Sequence, residues 1–210
     1  MTNIPCRKII KASIFILIGF PFCDLLAQTN TRGIYNSWQD YNSNKLSLIL
    51  NCNSPKNKIK LHHFFCGNYI DIIENGKQFR FKKDSIFGYR DCRQNDFRFY
   101  HNNEKEYRIA ENSSIIIYVA DVPVIASSGK TRTLVPAYFF STTLNGEIFP
   151  LTILNLKKAF PGNLKFHDKL DVVFGDETPV STYDSKHKMY KVNFLLTQSL
   201  SNYDQSNENQ

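Results

Sequence analysis

The sequence has no apolar run long enough to span a membrane and contains few cysteines. The apolar stretch near its N-terminus covers residues 14–20 (IFILIGF), far fewer than the roughly 18 residues that cross a bilayer as a helix. Five of the 210 residues are cysteine. Two of them precede residue 28, and three cysteines do not make a disulfide scaffold. These shortages exclude a helical membrane protein and a disulfide-framework domain.

The sequence also lacks a complete phosphate-binding or metal-binding motif. Residues 128–131 (SGKT) match only the end of a phosphate-binding loop, because Val124 occupies the position five residues before Gly129 where a glycine is required. His62, His63 and Cys66 are close together, but adjacent histidines in a strand point to opposite faces. No second ligand cluster completes a tetrahedral site. We therefore expect no metal and no cofactor.

Nucleophilic catalysis has no recognisable signature. His167, Asp168 and Asp171 lie on one predicted helix, and a His–Asp pair can orient a general base only if a nucleophile and an oxyanion site accompany it. No serine stands in a nucleophile-elbow context, and Cys92 has no identifiable partner. We predict no catalytic residues, and a hydrolase of an unfamiliar type remains the alternative.

The N-terminal residues are typical of a secretory signal peptide. Three basic residues precede the apolar stretch, and Ala27 before Gln28 provides a small residue for cleavage. Lipidation at Cys23 is the alternative, although Phe22 stands where a small residue is normally needed. We predict a signal peptide over residues 1–27, a single α+β domain over residues 28–199 and a flexible polar tail over residues 200–210. The expected location is periplasmic, outer-surface or secreted.

Charge and cysteine narrow the class of protein only slightly. The net charge of +7 is compatible with acidic partners and also with plain solubility. An oxidising compartment permits one disulfide among Cys52, Cys66 and Cys92. If a pair is bonded, we favour Cys52 with Cys66, because a strand and its return can bring them together. Each can instead be a small buried apolar residue.

Residues 77–120 alternate aromatic and basic positions in short segments separated by polar turns. Asn75-Gly76 is a strong hairpin signal, and period-two alternation is typical of strands with one buried face. We predict a twisted antiparallel β-meander of about seven to nine strands. The same pattern would also fit a sheet that curls into a partial barrel. The aromatic side of the meander is Phe79, Phe81, Phe87, Tyr89, Phe97, Phe99, Tyr107 and Ile109.

The C-terminal third has helical patterns. Residues 152–160 are helical in composition and stop at Pro161-Gly162. Asn163 is the expected N-cap of a helix over residues 164–174, and Asp184 or Ser185 is the expected cap of a third helix that ends near Leu196. Strands followed by helices indicate an α+β fold. We expect the helices to pack on the aromatic face of the sheet.

Five basic residues alternate with the aromatic positions, and we predict that they share one face of the sheet. Such a face can bind an anionic glycan, a lipid headgroup or an envelope protein. Acidic residues nearby make a solvated outer face the alternative. No nucleic-acid-binding module is recognisable, so we expect no nucleic-acid partner. The candidate ligand-binding residues are Arg80, Lys82, Arg90, Arg98 and Arg108.

Several segments together carry a resemblance that covers most of the chain beyond the signal peptide. They are Ala27-Gln28, Gly33-Ile34-Tyr35, Gly88-Tyr89, residues 156–161 (LKKAFP) and residues 166–168 (FHD). With these segments the chain resembles small exported proteins of unknown function from the Bacteroidota. The resemblance implies export and one compact domain, and no activity. We expect a non-catalytic protein with a binding or structural role, or alternatively a small-ligand carrier with a cavity in a curled sheet.

Overall fold

The computed structural model describes residues 30–61, 67–100, 105–125, 132–175 and 178–207. The side chains of residue 132 and of residues 201–207 are outside this description. The predicted signal peptide, the cluster of His62, His63 and Cys66, and residues 128–131 also lie outside the described residues. The fold is α+β, as the succession of strand patterns followed by helix patterns predicts.

An open eight-stranded antiparallel sheet forms the centre of the molecule. Its strands are β1 (Thr31–Tyr35), β2 (Ser47–Asn51), β6 (Gly88–Arg90), β7 (Asp96–Phe99), β8 (Glu106–Asn112), β9 (Ile116–Ile125), β10 (Arg132–Ser141) and β11 (Phe149–Pro150). Their order in the sheet is β11-β10-β9-β8-β7-β6-β1-β2, so the sheet does not close into a barrel. From β6 to β11 the strands follow chain order, as in a meander, whereas β1 is inserted between β2 and β6.

A separate three-stranded sheet contains β3 (Lys58–Lys60), β4 (Tyr69–Glu74) and β5 (Lys77–Lys82). The hairpin predicted at Asn75-Gly76 is confirmed, and both residues have positive φ angles, 51° and 89°. The expectation that β5 continues the meander into β6 is wrong. A turn of 3-10 helix, Lys83–Ser85, leads the chain out of the small sheet, and β1 takes the place beside β6.

Two layers cover one face of the large sheet. Register partners on neighbouring strands share a face, which places Ile34, Tyr89, Phe97, Arg108, Val119 and Tyr138 in one row across it. At one end of this face the three-stranded sheet packs on Ile34, Tyr89 and Phe99. At the other end the C-terminal helices pack on Ile117 and Phe140. Tyr89, Phe97 and Phe99 therefore face the small sheet, and not the helices as predicted. The prediction of a single aromatic side is also wrong, because Phe79 and Phe81 belong to the small sheet, and Tyr107 and Ile109 lie on the opposite face of the large one.

The opposite face carries a second aromatic cluster. Tyr107, Ile116 and Tyr118 are buried there, beneath the turn over residues 142–148. Helix α1 (Trp38–Asn42) adds Tyr41 to this face. The ring centroid of Tyr41 lies 5.4 Å from that of Tyr35 and 5.4 Å from that of Phe87. A capping box between Ser37 and Asp40 starts this helix.

The remaining helices are α2 (Ile153–Ala159), α3 (Leu164–Phe174) and α4 (Lys191–Asn207). The predicted N-cap Asn163 is confirmed, since its side chain accepts from the backbone N–H of Phe166 at 3.0 Å. Helix α4 begins later than predicted, because Asp184 accepts from the backbone N–H groups of Lys186 and His187 in the turn of a small ribbon. That ribbon pairs β12 (Tyr183–Asp184) with β13 (Met189–Tyr190). Helix α4 also continues to Asn207, into the predicted polar tail.

A disulfide joins Cys52 to Cys92, with a Cα–Cα distance of 5.7 Å. The preference for Cys52 with Cys66 is therefore wrong. Strands β2 and β6 both run antiparallel to β1, so they end at the same edge of the sheet. The two cysteines follow those strand ends and meet there.

Within the described ranges, no helix is both long enough and apolar enough to cross a membrane.

Candidate functional site

The five candidate basic residues do not share one face. Arg80 and Lys82 belong to the three-stranded sheet, whereas Arg90, Arg98 and Arg108 belong to the large sheet. Arg98 is in register with Tyr107, and Arg108 is in register with Phe97. Arg98 and Arg108 therefore lie on opposite faces of the sheet. The predicted basic stripe fails because the pairing of β7 with β8 aligns an arginine with an aromatic residue.

Two of the arginines are paired with aspartates in bidentate geometry. Arg80 donates to Asp71 at 2.7 and 2.9 Å, and Arg90 donates to Asp96 at 2.8 Å through each of two nitrogens. The hydrogen bonding of the Arg90 guanidinium to the Asp96 carboxylate is the main cause that raises the pKa of Arg90. Tyr35 also donates to Asp96 at 2.9 Å. These guanidinium groups are matched by carboxylates and fixed in orientation.

Arg98 is buried, with 4% of its surface exposed. Its guanidinium donates to the hydroxyl of Tyr118 at 2.9 Å and to the carbonyl of Gly146 at 2.7 Å. It also lies 5.4 Å from the ring centroid of Tyr100 and 5.8 Å from that of Phe87. In the part of the chain that the structure describes, no carboxylate forms an ion pair with it. Arg98 is therefore an internal positive charge held by dipoles and rings.

A cavity of about 210 Å³ lies where the small sheet joins the large one, and we call it the lysine cavity. It brings together the end of β5, the 3-10 turn, the end of β7 and the residue before β8. The backbone N–H of Lys83 donates to the carbonyl of Asn68 at 2.8 Å, which holds the turn against the start of β4. The cavity is lined by Asn68, Tyr69, Lys82, Lys83, Asp84, Phe99, Tyr100 and Lys105.

Lys83 is buried at the base of the lysine cavity, with 5% of its surface exposed. Its ammonium donates to Glu106 Oε1 at 3.2 Å. The hydroxyl of Tyr89 donates to Glu106 Oε2 at 3.0 Å. Burial, followed by the neighbouring Glu106 carboxylate, raises the pKa of Tyr89 well above its ordinary value. The Lys83–Glu106 pair is thus a satisfied internal ion pair, and it leaves the other two cavity lysines without this carboxylate.

Lys82 and Lys105 are exposed at the cavity, and neither side chain has an ion-pair or hydrogen-bond partner among the described residues. Asp84 is also exposed at the cavity. An exposed ammonium group that no protein carboxylate neutralises is free to bind an anion from solution.

The aromatic rings of the lysine cavity each have a protein cation close to them. Because the ring faces attract cations, these contacts hold further positive charge in the walls of the cavity. The distances from cation to ring centroid are 5.7 Å for Arg80 and Tyr69, 5.3 Å for Lys83 and Phe99, and 5.4 Å for Arg98 and Tyr100.

Among the described residues, cations outnumber carboxylates around the lysine cavity. Lys82, Lys83 and Lys105 line it, and Arg80 and Arg98 lie behind its rings. The described carboxylates are Asp71 on Arg80, Glu106 on Lys83, and Asp84 at the cavity itself. Two positive charges remain in excess among these residues, and they favour an anionic ligand.

A second, more open groove of about 790 Å³ adjoins the lysine cavity and shares Lys105 with it. Phe97, Arg108 and Val119 cross it as part of one row of the large sheet. Three acidic and three basic side chains among the described residues line the groove, so its charge does not favour one sign of ligand. Its charged lining residues are Asp91, Arg93, Lys105, Glu106, Arg108 and Asp121.

The residues of the alternative hydrolase have structural contacts. His167 Nε2 is 2.8 Å from the carbonyl oxygen of Phe160, and Asp171 accepts from the ammonium of Lys157 at 2.6 Å. His167, Asp168 and Asp171 line neither the lysine cavity nor the groove. Among the described residues no group of three His, Cys, Asp or Glu side chains is placed to hold a metal ion.

Of the five predicted basic residues, only Lys82 lines the lysine cavity, and Arg80 and Arg98 support its walls. Lys83 and Lys105 were missed because residues 83–85 and 101–105 have the composition of turns. The adjacent basic pair Lys82-Lys83 is the local signal in the sequence that points to this place. Comparison of the chain with models of protein families, with curated proteins and with solved structures gives no match.

Proposed function

We propose that this chain is an exported, non-catalytic protein that binds an anionic ligand through the lysine cavity. The observation that carries the proposal is the pair of ammonium groups of Lys82 and Lys105, which line one cavity and have no ion-pair partner among the described residues. The internal cation Arg98 supports it, because no described carboxylate pairs with it and its charge raises the local potential at a place that water reaches only partly.

Export is supported by the signal-peptide pattern of the first residues. The Cys52–Cys92 disulfide fits an oxidising compartment. The resemblance to small exported proteins of the Bacteroidota agrees with both. A periplasmic, outer-surface or secreted location follows from the proposal.

The size of the cavity bears on the form of the ligand. Pockets that enclose a whole small molecule measure roughly 300–1,000 Å³, and the lysine cavity is smaller, at about 210 Å³. This volume favours one charged group of a larger molecule, such as an anionic glycan, a lipid headgroup or an envelope protein. The same volume argues against a carrier that encloses a whole ligand.

A binding titration with matched variants tests the proposal. The probes are heparin and polygalacturonate as anionic glycans, with dextran as the neutral control. We expect the chain to bind at least one polyanion and not dextran, and we expect Lys82→Ala/Lys105→Ala to weaken the association roughly a hundredfold, because each charged hydrogen bond contributes roughly tenfold.

The matched control removes two lysines that are exposed on the C-terminal helices, Lys158→Ala/Lys165→Ala. It loses the same net charge at a different place and is expected to bind as the wild type does. An equal loss of affinity in both double variants would show that the binding follows net charge alone, and the cavity would have no special part in it.

A further inference from the structure

The free hydrogen-bond donors of the lysine cavity are ammonium groups. The guanidinium of Arg80 is committed to Asp71 by two hydrogen bonds. That of Arg98 is committed to Tyr118 and Gly146. The cations that face the cavity are Lys82, Lys83 and Lys105. No planar two-pronged donor is therefore presented to a ligand by the described lining residues.

This set of donors has a preference in geometry. A guanidinium matches a planar carboxylate with two parallel hydrogen bonds, whereas an ammonium group is a compact point charge with three donors that rotate freely. Ammonium groups that approach from β5 and from the start of β8 suit oxygens that point in several directions. A tetrahedral phosphate offers such oxygens, and a planar carboxylate offers two in one plane.

The charge also matches a doubly charged group. Lys82 and Lys105 supply two ammonium groups that no described carboxylate pairs with. A phosphate monoester carries a charge of about −1.5 to −2 at neutral pH. Asp84 at the cavity opposes this charge, so it must lower the affinity for any anion held there.

The volume fits one such group with its stem directed outwards. The cavity of about 210 Å³ is smaller than a site for a whole small molecule, and two of its lining residues, Phe99 and Lys83, are buried. A phosphate seated against them is partly removed from water, where its attraction to the ammonium groups is stronger.

We propose that the lysine cavity is specific for a phosphate monoester, in preference to a carboxylate of equal charge. This inference rests on the proposed anion-binding function and deepens it by naming the chemistry of the ligand. The phosphate belongs either to a soluble ester or to the headgroup of a lipid.

The test is isothermal titration calorimetry of the chain without residues 1–27 with inorganic phosphate, glycerol 3-phosphate and malonate. Malonate is the matched probe, because it is a dianion of similar size whose charged groups are planar. We expect both phosphates to bind with one-to-one stoichiometry and roughly tenfold more tightly than malonate, the difference that one charged hydrogen bond makes.

Three single variants test the site, two of which should weaken phosphate binding and one of which should strengthen it. Lys82→Ala and Lys105→Ala should each weaken glycerol 3-phosphate binding roughly tenfold, whereas Asp84→Asn should strengthen it severalfold. Lys158→Ala is the control for loss of one exposed lysine and should change nothing. Because all four positions are exposed, circular dichroism and thermal melting should show wild-type folding in each variant.

Vesicles distinguish the two sources of the phosphate. If the source is a lipid, the chain sediments with phosphatidylcholine vesicles that contain phosphatidic acid but not with phosphatidylcholine alone, and glycerol 3-phosphate competes. If the source is a soluble ester, glycerol 3-phosphate binds and neither vesicle does.

Malonate that binds as tightly as phosphate would overturn the phosphate specificity and leave anion binding in place. Phosphate binding that Lys82→Ala and Lys105→Ala do not change would also overturn it. Failure of every anion, including the polyanions above, would overturn the proposed function itself.

Discussion

Buried charged residues affect the stability of the region around the lysine cavity. Lys83 and Glu106 retain 6% and 12% exposure of their side chains, so each depends on the other for compensation. Taking two charges out of water costs several kcal/mol per ion, and the cost is offset only when the pair is intact. The same reasoning applies to Arg98, whose charge is compensated by a hydroxyl, a carbonyl and the surrounding rings.

Glu106→Gln should therefore lower the free energy of unfolding by about 3–5 kcal/mol, because it leaves the Lys83 ammonium buried without a counter-charge. The glutamine carbonyl can still accept from Tyr89, so the lost charge is the main change. Urea denaturation measures the effect.

The double variant Lys83→Met/Glu106→Gln is the control for this reading. It removes the unpaired charge and should recover part of the loss, since replacement of both partners of a buried pair is often nearly neutral. A double variant less stable than Glu106→Gln would contradict the assignment of the cost to an unpaired ammonium.

At the scale of elements, one acid fastens the last helix to the sheet. The pairing of β8 with β9 shifts register between Ile109 and Glu111. Glu111 then accepts from the backbone N–H of Tyr190, the residue before α4, at 2.7 Å. Asn193 in the first turn of α4 donates to Glu111 and also bonds both the N–H and the carbonyl of Ile115. A carboxylate at this place satisfies free backbone donors and complements the helix dipole.

Glu111→Ala should lower the free energy of unfolding by about 1–3 kcal/mol, because the Tyr190 N–H and the Asn193 amide each lose an acceptor. Glu111→Gln keeps one acceptor and loses the charge, so an intermediate loss is expected in the same chemical denaturation. Equal stabilities of all three proteins would show that α4 is held by apolar packing alone.

At the scale of the whole molecule, two layers share one face of the large sheet, and the lysine cavity lies at the join of the small sheet with it. The disulfide closes the β1–β2–β6 region across a sequence separation of 40 residues. A disulfide that closes a loop of this length restricts the unfolded chain, and its loss lowers the free energy of unfolding by roughly 2–4 kcal/mol.

Cys52→Ala/Cys92→Ala should accordingly lower the free energy of unfolding by about 2–4 kcal/mol. The far-ultraviolet circular dichroism should be unchanged at room temperature, because the strands are paired without the crosslink. Thermal melting with and without a thiol reductant checks the same point in the wild type. A melting temperature that neither reduction nor substitution changes would contradict a stabilising disulfide.

The sequence by itself determined the features that depend on a few neighbouring residues. The hairpin at Asn75-Gly76 and the helix α3 with its cap Asn163 were both predictable. Turn geometry, capping and helical periodicity act within about one turn or one hairpin, so the residues that decide them are adjacent in the chain. The α+β class follows from their order.

Only the tertiary structure decided which strands pair and which faces they present. Distant parts of the chain come together in three places. Strand β1 pairs with β6, Cys52 is bonded to Cys92, and Lys82 and Lys105 line the same cavity. Arg98 and Arg108 lie on opposite faces of the sheet because of the register between β7 and β8. A shift of one residue moves every side chain of a strand to the other face, and local alternation is the same in both registers. Long-range packing makes that choice, and the lysine cavity follows from it.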